Sequence, residues 1–524
     1  MRILVADKLA QSGVDALARQ HDVDVKTGLS KNELIAVVPG YHAIVVRSAT
    51  TIDADIIAAA TELKVVGRAG VGLDNVDVEA ATRAGVIVCN APQSNIISAA
   101  EHTMALIMAS ARNVPQAHAA LAAGSWERSK WSGTELHGKV LGVLGLGRIG
   151  SLVAERASAF GMKLHAYDPF VAPERAARMN VTMHDTVDEI LALADVITIH
   201  LPRNAETIDL INAERLATMK PTARVINVAR GGIVNEADLA QACKDGVIAG
   251  AALDVFNVEP TTASPLFGLP NVIVTPHLGA STTEAQDKAG TQVAEAIELA
   301  LAGEFVPTAV NVQGGPVDDV IKPYLPLGEK LGRMIARLAD GSLSEVTVEY
   351  LGAIADSDAR VLGLSVLKGL LGNAVAEPVT FVNAPLLAEQ RGLNLREISE
   401  HRTADFVSVL RVSAVRTDGE IVRVAGTMLP GNVERLIEVW NATVDLQPSD
   451  HMAFLKYGDR PGVVGIVGTV LGDVGVNIGA ATVTRVADGQ ALMALSLDDK
   501  VSDELMVTLV AHVGATVGRA VHLG

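Results

Sequence analysis

Lys139-Val-Leu-Gly-Val-Leu-Gly-Leu-Gly-Arg-Ile-Gly150 joins a short apolar strand to a helix through glycines spaced G-x-G-x-x-G. In that pattern Gly145 makes the tight turn, Gly147 lets the backbone approach a pyrophosphate, and Gly150 lets the following helix pack close to the strand. The helix then presents free N–H groups and a partial positive charge to the phosphates. Residues 151–160 read as the helix, with Leu152, Val153, Ala157 and Phe160 on one side. Met162-Lys-Leu-His-Ala-Tyr-Asp168 reads as the next strand, ending in an acid 18 residues past Gly150. A carboxylate there accepts hydrogen bonds from ribose hydroxyls and repels a 2′-phosphate, so the expected cofactor is NAD rather than NADP.

Outward from this stretch, strand-like runs at 140–144, 164–167, 196–200, 225–228, 249–254 and 272–274 alternate with helical patterns. Six strands predict a doubly wound, Rossmann-type α/β domain. Residues 1–90 repeat the alternation without the glycine signature: strands at Ile3–Ala6, Ala43–Val46, Lys64–Val66 and Val86–Cys89, helices near 12–19, 53–60 and 77–83. The helical run from Ser98 to Ser110 crosses between the two units, with His102 read as structural, and Thr283–Ala302 returns the chain to the first. The expected division is therefore a discontinuous domain of residues 1–97 and 283–305 around a nucleotide-binding domain of 98–282. A linker follows at 306–318, then an α+β unit at 319–450. Residues 451–524 run strand, helix, strand, strand, helix, strand, the ferredoxin-like βαββαβ order.

Composition narrows the class. The chain has 524 residues, enough for three or four domains at roughly 150 residues each. It is 49% hydrophobic but only 3% aromatic, which suits buried parallel strands of Val, Ile and Ala. No run approaches the roughly 20 apolar residues of a membrane span, and Met1–Asp7 reads as a first strand rather than a signal peptide. Two distant cysteines, Cys89 and Cys243, support neither a disulfide framework nor a thiolate metal site, and a reducing cytoplasm is expected. A net charge of −17 argues against nucleic acid and anionic membranes as partners. An anionic substrate would need positive charge gathered locally.

Three residues at the ends of successive strands supply a chemistry. Arg230 follows Val225–Ala229, Glu259 follows Ala251–Val258, and His277 follows Val272–Pro276. Oxidising a 2-hydroxy acid requires a base for the hydroxyl proton, and histidine titrates near neutrality. A glutamate beside it orients the ring and favours its protonated form. Arginine clamps the substrate carboxylate and polarises the forming carbonyl.

Five motifs carry a resemblance to the D-isomer-specific 2-hydroxyacid dehydrogenases that covers essentially the whole chain. They are Gly67-Arg-Ala-Gly-Val-Gly-Leu-Asp-Asn-Val-Asp77, Gly145–Gly150, Asn227-Val-Ala-Arg-Gly-Gly-Ile-Val234, Ala251-Ala-Leu-Asp-Val-Phe256 with Glu259-Pro260, and Pro276-His-Leu-Gly-Ala-Ser281. The resemblance implies a flavodoxin-like substrate domain beside the Rossmann-type domain. It gives Arg230, Glu259 and His277 the roles just described. It also implies that Arg148, Ile149, Asp168, Leu201, Val228, Ala229, Arg230, Asp254, His277, Leu278, Gly279 and Ala280 line the NAD site.

Arg47, with Ser48, and Arg68 follow strands of the first unit where it should face the cleft, and relatives place substrate-binding arginines in matching motifs. Arg128 and Lys130, beside Trp126, are implied to reach across a dimer interface. Such clustering of cations suits a phosphate. The implied reaction is NAD-dependent oxidation of 3-phospho-D-glycerate to 3-phosphohydroxypyruvate, the opening step of L-serine biosynthesis. The alternatives are a hydroxypyruvate or 2-oxoglutarate reductase, and a non-catalytic NAD-sensing regulator. Tyr457-Gly-Asp-Arg-Pro-Gly462 with Gly475-Val-Asn477-Ile resembles an ACT domain. That implies allosteric feedback by L-serine near Tyr457, Asp459 and Asn477, in a homotetramer. Residues 319–450 would be the intervening domain. In some relatives it binds an anion, which is not expected here because Val439–Leu446 carries no Lys or Arg.

Overall fold

The structure, a computed structural model, describes every residue except 313–316, 373, 375–378, 487–488 and 524. Among the described residues the strands form four sheets.

The first sheet is parallel, in the order Asp22–Val25, Arg2–Val5, Ala43–Val46, Val65–Arg68, Ile87–Asn90. This 2-1-3-4-5 order is the flavodoxin-like one. Ala43–Val46 and Ile87–Asn90 are buried along their whole length, as strands covered on both faces must be. The edge strand Asp22–Val25 and the helix Lys31–Val37 were not expected. Asp-Val-Asp-Val at a half-exposed edge carries only two apolar residues and gives no buried-strand signal.

The helix Thr283–Ala302 packs on this sheet although the whole nucleotide-binding unit separates them in sequence. Two glycines permit it. A Cβ on Gly13 would lie 2.8 Å from the Gly290 backbone, so the helices Gln11–Ala18 and Thr283–Ala302 cross at backbone contact. A Cβ on Gly67 would lie 2.6 Å from Val293, so the long helix sits directly over the strand that delivers Arg68. At its start Ser98 and Thr282 hydroxyls meet at 2.7 Å, joining the two helices that cross between the units.

The second sheet has seven parallel strands, in the order Val272–Val274, Gly250–Leu253, Arg224–Asn227, Val196–Ile199, Val140–Leu144, Lys163–Tyr167, Val181–Met183. It is the doubly wound order extended by one strand. The seventh strand, Val181–Met183, corrects the expected six: three residues are too few for a periodicity to register.

Residues expected as a linker partly belong to the first sheet. Ala309 bridges Cys89 antiparallel, Val310 N–H donates to the Val88 carbonyl (2.8 Å), and the Asn311 side chain accepts from Val88 N–H (2.9 Å). The stretch 313–316 lies outside the described residues.

The third sheet has six strands, ordered Asn394–Glu400, Leu343–Gly352, Ser408–Arg416, Ile421–Leu429, Val433–Val439, Ala442–Leu446. The helices Tyr324–Leu338 and Arg360–Leu371 contribute to its core. The fourth is antiparallel, ordered Ile478–Val486, Gln490–Leu497, His451–Gly458, Ala515–His522, with the helices Val463–Asp473 and Asp503–Val513 against it. That is the ferredoxin-like arrangement. No helix among the described residues is long and apolar enough to cross a membrane.

Candidate active site

Open α/β sheets bind ligands beyond the carboxyl ends of their strands, and the chemistry-bearing residues of both parallel sheets sit there. In the glycine turn each glycine has its own reason. Gly145 has φ +94°, and a Cβ on it would press on the His200 carbonyl (2.7 Å) and Leu201 (3.1 Å). A Cβ on Gly150 would lie 2.0 Å from the Gly145 oxygen. Gly147 differs: its φ is −72° and a Cβ would meet no described protein atom within 4 Å. Neither conformation nor a protein neighbour requires glycine there, whereas close approach of a phosphate does.

Gly147 also caps the helix Arg148–Ala159 without a side-chain bond, leaving its first N–H groups for a ligand. Asp168 ends the adjacent strand. Its Oδ2 accepts from Leu146 N–H (2.8 Å) and its Oδ1 from Phe170 N–H (2.9 Å), which fixes the carboxylate beside the turn. Ile149 and Val228 pack half-buried against the core below, and Arg148 reaches the Pro92 carbonyl at 3.4 Å. These residues fit a dinucleotide.

Three strand-end loops then converge. The turn Val228–Arg230 is held by the buried Asn227, whose side chain donates to the Arg230 carbonyl (2.9 Å) and accepts from Ala229 N–H (3.0 Å). A Cβ on Gly231 would lie 1.8 Å from the Phe256 oxygen, so this turn lies against the loop that carries Glu259. His277, at φ +55°, places Nδ1 2.5 Å from Glu259 Oε2, while Glu259 Oε1 accepts from Phe256 N–H (2.8 Å). Burial opposes ionisation of Glu259. The His277 ring and the Phe256 N–H outweigh it and hold the carboxyl below its ordinary value.

Asp254 secures the third loop. Its side chain is 1% exposed, and its Oδ1 accepts from Thr275 Oγ1 (2.5 Å) and Leu278 N–H (2.7 Å), its Oδ2 from Gly279 N–H (2.8 Å). Its backbone carbonyl accepts from His277 N–H at 2.8 Å. Burial pushes this carboxyl up, but those donors and His102 together bring it below its ordinary value. His102 Nε2 lies 3.1 Å from Thr275 Oγ1 and 3.3 Å from Asp254 Oδ1, tying the crossing helix Ile96–Arg112 to the loop. A Cβ on Gly279 would meet Val228 at 3.0 Å, which closes the group. Ala280 follows at the half-buried end of the loop.

Across the cleft stand the cations of the first sheet. Arg68 is largely buried, and its Nε has no hydrogen-bond partner among the described residues. Burial, then the charges of Arg230 and Arg47 opposed by Asp74 and Asp7, pushes the guanidinium down to about 10, still protonated at neutral pH. Arg47 donates to the Lys8 carbonyl (3.2 Å), and Ser48 is exposed beside it. Arg230 lies 3.6 Å from Asp74. The charges of Arg47 and Arg230 thus both reach Arg68.

Other expected residues are placed differently. Arg128 and Lys130 lie on the short exposed turn Arg128–Trp131, where Lys130 pairs with Glu127 (3.1 Å) and sits over the Trp131 ring (5.0 Å). Their contacts are local, and Arg128 lines a surface depression with Arg112 and Trp126. Tyr457, expected near the effector, is 2% exposed within the core of the fourth sheet, because its strand position faces the helices. Asp459 pairs with Arg485 (2.8 Å) and Asn477 donates to Asp498 (2.8 Å).

Sequence reasoning missed Asp7, Asp74 and Asn75. Asp7 stood out only as the acid that ends the first apolar run, yet it is buried and organises the Arg47 loop.

His277 and Asp254 both belong to residues 104–279, which match the family described as D-isomer specific 2-hydroxyacid dehydrogenase, NAD binding domain; residues 320–440 match the D-3-phosphoglycerate dehydrogenase intervening domain. A D-3-phosphoglycerate dehydrogenase of Mycobacterium leprae is 49% identical over 99% of both chains. The chain belongs to the D-3-phosphoglycerate dehydrogenase family. A member from Methanocaldococcus jannaschii is 42% identical over 97% of both chains. The crystal structure of the TT0316 protein from Thermus thermophilus superposes with a TM-score of 0.55 at 34% identity, covering 59% of this chain and all of that one. The family and the fit of the glycine turn make this an NAD-dependent enzyme.

Proposed function

We propose that the chain oxidises 3-phospho-D-glycerate at C2 to 3-phosphohydroxypyruvate, the first step of L-serine biosynthesis. The observation that carries this reading is a buried, unpartnered Arg68 Nε within reach of the charges of Arg47 and Arg230, with the Arg230 turn packed against the loop that leads to the His277–Glu259 pair. A substrate with a carboxylate at one end and a phosphate at the other suits cations from both sides of the cleft.

Arg230 takes the carboxylate and the C2 oxygen through its fork of N–H donors. Arg68 and Arg47 take the phosphate. His277 Nε2, the ring nitrogen not engaged by Glu259, accepts the C2 hydroxyl proton, and the Glu259 carboxylate stabilises the imidazolium that forms. Bound NAD supplies the acceptor for the hydrogen leaving C2. Asp168 selects NAD by its charge, while Asp254 keeps the loop of His277, Leu278 and Gly279 in place.

The test is NADH formation with 3-phosphoglycerate against lactate, glycerate and 2-hydroxyglutarate, in the wild type and Arg68→Ala. Preference for the phosphorylated acid should fall by at least tenfold in the variant. Equal slowing of all substrates would refute the phosphate assignment.

Regulation belongs to the same proposal. The ferredoxin-like fourth sheet suits an ACT domain, and paired copies would place Asp459 and Asn477 at a shared edge, where a carboxylate and an amide suit the two ends of L-serine. Assembly as a homotetramer in the cytoplasm, with Arg128 and Lys130 extended towards a neighbouring cleft, completes the reading. The absence of any inhibition or heat of binding with millimolar serine would exclude the effector, leaving the catalytic assignment standing.

A further inference from the structure

Two acids face the cations of the cleft, and only one is fully engaged. The Asp7 carboxylate is buried and accepts from the backbone N–H groups of Arg47 (2.7 Å), Ala49 (3.2 Å) and Thr50 (3.2 Å) and from the Thr50 hydroxyl (2.6 Å). It is a structural cap. Asp74 is 73% exposed, and its Oδ2 lies 3.6 Å from Arg230 Nε. Its charge also acts on Arg68.

The backbone that brings Asp74 here is fixed. Asn75 donates through Nδ2 to the carbonyls of Arg47 (2.7 Å) and Thr50 (2.5 Å), and Val76 bridges Ile52 in parallel. A Cβ on Gly72 would lie 2.5 Å from Arg230 Nη2 and 2.8 Å from Asp74 Oδ2. The chain is bare of side chain at the point where the guanidinium and the carboxylate meet. Asp74 is therefore held on a tethered loop of the first unit against Arg230 of the second.

We propose that Asp74 is a resident counter-ion of Arg230, a carboxylate of the chain that the substrate carboxylate must displace, and that it thereby sets KM. The inference rests on Arg230 as the carboxylate clamp. The physical basis is an exchange between unequal partners. Asp74 meets Arg230 through one long contact in an exposed setting, the weak class of ion pair. A substrate carboxylate can take two parallel N–H donors of the same guanidinium in a closed cleft, the strong class. The exchange favours substrate, but its apparent affinity is lowered by the contact given up and by the displaced charge that stays nearby. Because Asp74 leaves Arg230 before the reaction, it acts on binding and not on turnover.

The test compares steady-state kinetics of Asp74→Asn, Asp74→Ser, Asp74→Glu and Arg230→Gln, together with inhibition by oxalate, a dicarboxylate without phosphate. Asp74→Asn and Asp74→Ser should lower KM for 3-phosphoglycerate and Ki for oxalate two- to fivefold at unchanged kcat, equivalent to about 0.4–1 kcal/mol at 1.4 kcal/mol per decade. Asp74→Glu should stay near wild type. An unchanged or higher KM and Ki in both neutral variants overturns the proposal, as does a fall in kcat alone. Arg230→Gln separates the two layers. If it raises KM strongly while the Asp74 variants do nothing, only the counter-ion role fails; if it leaves KM unchanged, the clamp assignment beneath it fails as well.

Discussion

Replacing Gly147 and Gly150 by alanine, one at a time, separates what the glycine turn does for the fold from what it does for the cofactor. At Gly150 the new methyl would sit 2.0 Å from the Gly145 carbonyl oxygen, where ordinary contact needs 3.4 Å or more. Relief requires the helix Arg148–Ala159 to retreat by over 1 Å from the strand it packs on. Overpacking of that kind costs about 1–3 kcal/mol, so Gly150→Ala should lower the melting midpoint by several degrees and weaken NADH binding as well. At Gly147 the methyl meets no described protein atom within 4 Å and φ is −72°. Loss of unfolded-chain entropy stabilises such a change by about 0.4–1 kcal/mol, and the poorer helix cap offsets part of that. The midpoint should stay within about 2 °C of wild type. Binding should not. A methyl on the phosphate-facing backbone removes at least one charge-assisted hydrogen bond of about 1.5–3 kcal/mol, which at 1.4 kcal/mol per decade is roughly 10- to 150-fold in the NADH dissociation constant. Fluorescence titration of NADH and thermal denaturation of the same samples read both quantities. If Gly147→Ala binds NADH like wild type, or melts as low as Gly150→Ala, the division of labour among the glycines is refuted.

Further outcomes test the rest of the site. His277→Asn should cut kcat by about 10²–10⁴ while the NADH dissociation constant stays within twofold; turnover near wild type would remove His277 as the base. Glu259→Gln keeps the shape but not the charge, and should lower kcat/KM with less effect on KM than on kcat; equal activity would show that the carboxylate stabilises nothing. Asp254 has its folded pKa depressed, so its contribution to stability is present above the ordinary carboxylate range and is lost as pH falls through the depressed value. Asp254→Asn should therefore melt lower at neutral pH and lose less stability than wild type between neutral and acidic pH. Parallel melting curves over that range would contradict it.

Much of the fold was legible because it depends on periodicity and on glycine. The helix Thr283–Ala302 and the strand Gln490–Leu497 have the bounds read from sequence. Elements that escaped, Asp22–Val25 and Val181–Met183, are short and lie at sheet edges, where few residues are buried and the pattern is weak. Tyr457 shows the opposite limit. Its motif was recognisable, but its exposure depends on which face of the strand His451–Gly458 meets the helices.

The sequence by itself determined that a pyrophosphate-binding turn is followed by an acid suited to NAD, and that Arg230, Glu259 and His277 end successive strands. Those properties are local, set by residue type and spacing along a few turns of chain. Only the tertiary structure decided what these residues face. Gly67 under Val293, Gly231 under Phe256 and Gly72 under Arg230 are close approaches between segments far apart in sequence. The last of them sets Asp74 beside the Arg230 guanidinium, and no periodicity in one segment encodes the charge that another segment will present to it.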